Sequence, residues 1–302
     1  MIIKLKKGLK NPSLFLLYFL NFKICRILPD KTFLKIKYKL LMNVKLDLTN
    51  PTTFNEKLQW LKINDRNPKY PSLVDKYEVR NYIKKTIGEE YLIPLLGVWD
   101  NYDDIDFESL PNQFVLKPTH TSGDVFICKN KSTINFISLR KEVKKWLKQK
   151  YFWKHREWPY KFIKPKIICE ELMVDDSGSD LKDYKLMCFN GEVKIIQVIS
   201  GRTKKGYYID HFDTNWNKLN IERKNKIRNP KEITKPSNLK DMILIANRLS
   251  RGLSFCRIDL YLTQKHIFFG EITFYPMSGF LDFKNKQTDI ELGNMLKLLI
   301  PQ

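Results

Sequence analysis

The sequence predicts an α+β fold with an N-terminal helical part followed by two sheet-containing lobes. Two observations carry this. Helical patterns dominate up to Thr86, and short apolar runs bounded by Gly and Pro replace them afterwards. Two hairpin patterns then follow, one of them turning on Asn190-Gly191, a strong two-residue hairpin signal. At 302 residues the chain holds two modest domains or one large one. The expected boundaries are a basic helical segment over 1–72, a first lobe over 73–170 and a second over 171–302.

The elements follow in order. After a basic start, Met1 to Lys10, comes the apolar run Pro12 to Phe22, with no small-residue cleavage site after it and too few residues to span a bilayer. Bases outnumber acids up to residue 50, so the segment suits either an amphipathic helix on an anionic leaflet or an ordinary packed helix. Thr53 with Glu56 resembles a capping box opening the next helix. A further helix is expected from Leu73 to Thr86, with Val74, Tyr77 and Tyr82 inward. Tyr91–Trp99, Gln113–Pro118 and Val125–Cys128 read as buried strands, and Ile137–Lys150 as a surface helix. Ile167–Met173, Asp183–Phe189 and Val193–Ile199 read as strands, then Ser237–Leu253 as a helix before a final hairpin.

Hydrophobic residues at 43% and aromatics at 13% exclude a disordered chain. The net charge of +21 points to nucleic acid, an anionic membrane or phosphorylated substrates, with lysine-rich composition as the bland alternative. Nucleic acid is disfavoured: the charge is spread and no recognition motif accompanies Trp146, Trp153 and Trp158. The five cysteines lack any Cys-x-x-Cys spacing, which speaks against zinc or disulfides and for buried thiols in a reducing, cytoplasmic compartment.

The chemistry-bearing pattern is the final hairpin. A three-residue loop, Gln264-Lys265-His266, places Asp259 opposite Glu271, with Arg257 and Thr273 on the same face. Two facing carboxylates repel unless a hard cation such as magnesium joins them. A four-residue loop would put the acids on opposite faces, and pattern alone leaves both open. Lys117 ends a strand before the small polar loop Thr119–Asp124, which suits phosphate binding or a solvated turn. His120 faces the same choice. His155, His211 and His266 lack partners at ligand spacing and are expected at the surface.

Taken in order, Phe114-Val-Leu-Lys-Pro118 with Thr121-Ser-Gly123, Ile168-Cys-Glu-Glu-Leu172, Asp183-Tyr-Lys185, Arg257-Ile-Asp-Leu-Tyr261 and Gly270–Phe280 resemble the ATP-grasp enzymes. Together with Pro51–Leu61 and Asp75–Arg80 they are most similar to the TupA-like branch found among bacterial cell-surface polysaccharide genes. The resemblance covers roughly residues 45–300 and implies two lobes clasping ATP. It implies that Lys117 contacts the phosphates, that Thr121, Ser122 and Gly123 close over them, and that Glu170, Glu171 and Leu172 form the adenine hinge. Asp183 and Lys185 match an Asp-x-Arg/Lys pair, with Lys185 reaching phosphate or acyl-phosphate. Asp259 and Glu271 match magnesium ligands, with Arg257 facing the transferred phosphoryl group. Thr273 stands where many relatives carry Asn, and the phosphate loop holds a single glycine; both departures bear on catalytic competence.

The implied reaction is carboxylate–amine ligation through an acyl-phosphate, with ATP and magnesium. The carboxylate would belong to a uronic acid or an amino acid used in surface polysaccharide, and a lipid-linked acceptor would give the basic N-terminus a role as a peripheral anchor. A glycosyltransferase is one rival, although its DxD candidate, Asp104-Ile-Asp106, precedes a strand. A sugar kinase sharing the ATP site is the other.

Overall fold

The computed structural model describes residues 12–174, 181–203, 206–263 and 266–298, with only the backbone of 12–14. Helices α1 (Pro12–Phe19), α2 (Asp30–Met42), α3 (Phe54–Asn64), α4 (Tyr70–Val74) and α5 (Val79–Thr86) precede the first strand. At the start of α3 the Glu56 N–H donates to Thr53 Oγ1 at 3.2 Å. The Thr53 N–H donates to the Glu56 carboxylate at 3.1 Å, completing the capping box. The helix expected over 73–86 is broken. Asp75 Oδ1 accepts the N–H groups of Tyr77 (2.8 Å) and Glu78 (3.0 Å), so a side chain competes with the helical ladder and the chain restarts at Val79.

The first sheet contains β1 (Leu95–Trp99), β2 (Phe114–Pro118), β3 (Phe126–Cys128) and β4 (Ile167–Glu171), in the order β1-β4-β2-β3 and antiparallel throughout. Helices α6 (Phe136–Leu147) and α7 (Phe152–His155) lie between β3 and β4 in sequence. Leu139, Val143 and Trp146 of α6 pack against Phe114, Leu116, Ile167 and Cys169. The period of two therefore turns Val115, Lys117, Ile168 and Glu170 to the opposite face.

The second sheet contains β5 (Asp183–Phe189), β6 (Glu192–Thr203), β7 (Gly206–Phe212), β8 (Phe255–Thr263) and β9 (His266–Thr273), ordered β7-β6-β5-β8-β9. Asn190 and Gly191 both have positive φ (50° and 87°), as the predicted turn requires, and Phe189 pairs with Glu192. Helix α8 (Leu239–Ser250) buries Met242, Ile245, Ala246 and Leu249 in one core with Leu186, Cys188, Ile258 and Leu260. Helix α9 (Lys286–Met295) packs on α3. All five cysteines are buried and unbridged.

The β8–β9 hairpin reaches the expected pairing by another route. Thr263 pairs with His266, not Ile267, so His266 lies in β9; Gln264 and Lys265 lie outside the described residues. Asp259 still faces Glu271, because Leu260 pairs with Phe269 and Gly270 forms a bulge. A Cβ at 270 would stand 3.0 Å from the Tyr261 ring and 3.1 Å from the Asp259 carbonyl oxygen, which explains the glycine.

Candidate active site

Residues directly opposite in an antiparallel sheet share a face. The registers of the second sheet therefore set Glu271, Asp259, Lys185, Gln197 and His211 in one row across five strands. Thr273, Arg257 and Met187 form the next row. With α8 on the other face, this row looks into the cleft.

Arg257 ties the cluster together. Its Nε donates to Asp259 Oδ1 at 2.6 Å, and its Nη2 donates to Asp259 Oδ2 at 2.7 Å and to Glu271 Oε1 and Thr273 Oγ1 at 3.1 Å each. Lys185 Nζ donates to Asp259 Oδ2 and lies 2.9 Å from Asp183 Oδ2, which also accepts from Arg202 Nη2 at 2.8 Å. Asp183 Oδ1 is buried without a partner among the described residues. Burial pushes the Asp259 carboxyl up to about 6, against the pull of Arg257 and Lys185. Burial raises Glu271 too, but its side chain stays 34% exposed, and Arg257, Lys76 and Lys185 hold it at about 2. Burial therefore dominates at Asp259 and the neighbouring cations dominate at Glu271.

The cleft-facing side of the first sheet is simpler. Lys117 Nζ donates to Glu170 Oε2 at 2.7 Å, and Arg80 Nη1 donates to Glu170 Oε1 at 3.2 Å. Glu171 is exposed and Leu172 half-buried. Thr121 is fully buried, its hydroxyl on Asp124 (2.8 Å) and its carbonyl accepting from Lys76 Nζ, while Ser122 and Gly123 are exposed. Gly123 takes φ +88° with open space where a Cβ would project, a backbone suited to close approach by a ligand. Lys76 joins the two sides: it is half-buried, desolvation lowers its pKa, and Glu271, Lys117 and Glu170 all act on its charge.

Asp183, Lys185, Arg257, Asp259, Glu271 and Thr273 thus form one cluster, and Lys117 with Glu170 forms a second facing it. Sequence reading assigned no site role to Lys76, Arg80, Arg202, Gln197 or His211. Gln197 and His211 follow from strand alternation once β6 and β7 are in register; the positions of Lys76 and Arg80 depend on the Asp75 turn, which no periodicity signals. Two histidine expectations are corrected. His211 is 4% exposed, and His155 is half-buried with its Nδ1 buried. His120 is not a solvated turn residue, since it is buried with Nε2 3.2 Å from the Trp146 carbonyl. The Asp104-Ile-Asp106 triplet has structural work: Asp104 accepts from Asn101, and Asp106 Oδ1 accepts the Glu108 N–H.

No helix among the described residues is long and apolar enough to cross a membrane. The family model for TupA-like ATP-grasp proteins matches residues 56–297. A search of the curated proteins found no match. Among solved structures, the chain is similar to the D-alanine–D-alanine ligase from Bacillus anthracis complexed with ATP. That alignment has 15% identity and a TM-score of 0.41, and covers 67% of this chain and 54% of that one. D-alanyl-alanine synthetase A from Vibrio cholerae O1 biovar eltor gives 11% identity, 74% and 63% coverage and a TM-score of 0.43. The ATP-grasp ligase PsnB complexed with minimal precursor gives 12%, 80% and 67%, and 0.42. This chain spans little more than half of the B. anthracis ligase. On the family match, which runs from Glu56 to Lys297, the chain belongs to the TupA-like ATP-grasp family.

Proposed function

We propose that the protein uses ATP and magnesium to activate a carboxylate as an acyl-phosphate and joins it to an amine. The observation that carries this reading is the row Glu271–Asp259–Lys185 with Arg257 beside it, facing Lys117 and Lys76 across the cleft. Lys117 and the Thr121–Gly123 backbone would hold the ATP phosphates, with Glu170 to Leu172 at the adenine. In the first step a carboxylate oxygen attacks the γ-phosphorus and ADP leaves. In the second an amine attacks the acyl carbon, the C–O bond to phosphate breaks, and the amine loses a proton. Lys185 and Arg257 would neutralise charge on the transferred phosphoryl group.

The donor set fits magnesium. Asp259 and Glu271 are opposed carboxylates on one face that would hold the ion, and Thr273 Oγ1 lies 3.1 Å from Glu271 Oε1. Magnesium is usually held by one or two carboxylates together with substrate phosphates. When bound, it supplies positive charge to the phosphate oxygens.

Family membership supports a uronic acid or amino acid of a surface-polysaccharide precursor as the carboxylate. An isotope experiment tests the reaction. With an ¹⁸O-labelled carboxylate substrate, an amine and ATP, labelled inorganic phosphate is expected. Phosphate retained on the sugar would indicate a kinase instead, and turnover of a sugar nucleotide without ATP a glycosyltransferase.

The N-terminal part is proposed to rest on the inner face of the cytoplasmic membrane. Phe15, Phe19, Phe22, Ile24 and Ile27 are exposed close to Lys23, Lys31 and Lys35, an apolar and basic pairing suited to anionic lipid. Residues 1–11 lie outside the described residues. Cosedimentation with anionic vesicles should weaken in a Phe19→Ser/Phe22→Ser/Ile27→Ser protein, and unchanged partitioning would remove this role.

A further inference from the structure

Past Gln197, the cleft-facing row of the second sheet ends at His211, and there the sheet edge is walled. The segment after β7 folds back along it: the Leu219 N–H donates to the His211 carbonyl at 2.8 Å, and the Ile209 N–H to the Ile227 carbonyl at 3.0 Å. The same segment pairs on its far side with residues 282–284, through Lys224 N–H to Asp282 O and Lys284 N–H to Glu222 O, both 2.9 Å. Between these walls lies a cavity of about 280 Å³, lined among others by His211, Glu222, Arg223, Lys226, Arg228 and Lys284. His211 and Arg223 also line a narrower recess with Gln197 and Arg257, so the cavity adjoins the carboxylate cluster.

Its charge is unbalanced. Lys284 lies 2.9 Å and Arg228 3.5 Å from Glu222, and Arg223 is held by Asp282 at 2.5 Å. Lys226 has the Tyr207 ring 4.0 Å away. Four cations therefore meet two carboxylates, even with Asp282 counted, and leave two positive charges in surplus. Beside them, His211 is 4% exposed and its Nδ1 has no partner among the described residues. Such an orphan is costly unless something polar satisfies it.

We infer that this cavity binds the phosphate or diphosphate group of a carboxylate-bearing sugar substrate, whose carboxylate reaches Lys185 and Arg257 along the same sheet face. This deepens, and in its choice of substrate rests on, the ligase reading above. A surplus of two charges matches a phosphate monoester, which carries about −1.5 to −2, better than one carboxylate. The reacting carboxylate belongs at the phosphoryl-transfer end, so a second anionic site requires a second anionic group on the ligand. Lys185 and His211 are two strand spacings apart, about 10 Å, comparable to the end-to-end reach of a sugar ring that carries acidic groups at both ends. A sugar hydroxyl or N–H beside the phosphate would satisfy His211 Nδ1.

The probe is glucuronic acid 1-phosphate, with free glucuronic acid as comparison, titrated by calorimetry into the full chain. Lys226→Ala/Lys284→Ala should weaken the sugar phosphate about 30-fold, with little change for the free acid and an unchanged melting temperature. Lys117→Ala should leave the sugar phosphate where it was. Equal binding by wild type and the double variant would overturn the inference. So would a loss confined to Lys117→Ala, which would place the phosphate in the nucleotide site. UDP-glucuronic acid compared with a prenyl-diphosphate-linked glucuronate in detergent then separates a soluble from a lipid carrier. Failure of the ligase reading shows itself separately, as unlabelled phosphate in the isotope experiment.

Discussion

The two sheets face one cleft with different charge designs. On the first, one carboxylate, Glu170, sits between two cations, Lys117 on the same sheet face and Arg80 of α5, and its neighbours on that face, Val115 and Ile168, are apolar. On the second, Asp183, Asp259 and Glu271 alternate with Lys185, Arg202 and Arg257 in one continuous chain of ion pairs. The first arrangement keeps net positive charge and can hold an anion in place. In the second, each group's ionisation depends on its neighbours, which suits a site where charge moves during reaction. On the proposed function the first sheet would hold the nucleotide and the second would carry out the transfer, and that division can be broken experimentally.

The largest effect is expected at Asp259. Asp259→Asn keeps the shape but leaves Arg257 and Lys185 without their shared carboxylate, and ATP-dependent phosphate release should fall about 10³-fold or more. Affinity for ADP should change little. Lys117→Ala should do the reverse, weakening ADP about 30-fold, as expected for loss of one charge-assisted contact, while Glu170 keeps Arg80 as its partner. Turnover at saturating ATP should fall much less than in Asp259→Asn. If both variants lost turnover equally with unchanged ADP affinity, the division of labour between the sheets would fail.

How far this was legible in the sequence depended on whether one strand could be read by itself. Alternation put Arg257 with Asp259 without knowledge of any partner, and the pairing of Asp183 with Lys185 came from the family resemblance. The facing of Asp259 and Glu271 was expected from a three-residue loop, but the chain achieves it with pairing at Thr263–His266 and a bulge at Gly270. Two register shifts cancelled, and no local pattern distinguishes that from the simpler path. Long-range placements were not readable: His211 is buried only because residues 219–228 return along β7, and Arg80 meets Glu170 only because Asp75 ends one helix and starts another. The bulge offers the next test. Gly270→Val would force a branched side chain against Tyr261 and the Asp259 carbonyl, costing about 3 kcal/mol in urea unfolding. Turnover should fall further than that loss of stability explains, because a one-residue slip of β9 would turn Glu271 out of the cleft. A variant that is destabilised but fully active would show that the bulge serves packing alone.

The smallest effect lies where the helices brace both sheets. Lys62 of α3 donates to the His155 carbonyl at 3.0 Å and to the Ser278 carbonyl, just past β9, at 2.8 Å. Burial, with Lys37, Lys62 and Lys154 adding to it, drives the His155 imidazole down from 6.5 to about 2. A group depressed in the folded state stays neutral there while the unfolded chain takes up its proton. His155 therefore costs nothing above pH 6.5, and stability is lost progressively as the pH falls below it. Between pH 7.5 and 5 this single group should remove about 2 kcal/mol. His155→Phe should flatten the pH dependence of urea unfolding by that amount, leaving the part due to His211, whose imidazole burial lowers to about 4. An unchanged slope would mean that His155 takes up its proton as readily in the folded protein as in the unfolded chain. The brace would then open to water at mild acidity, and the two charge designs would be held facing each other by the strands and not by the N-terminal helices.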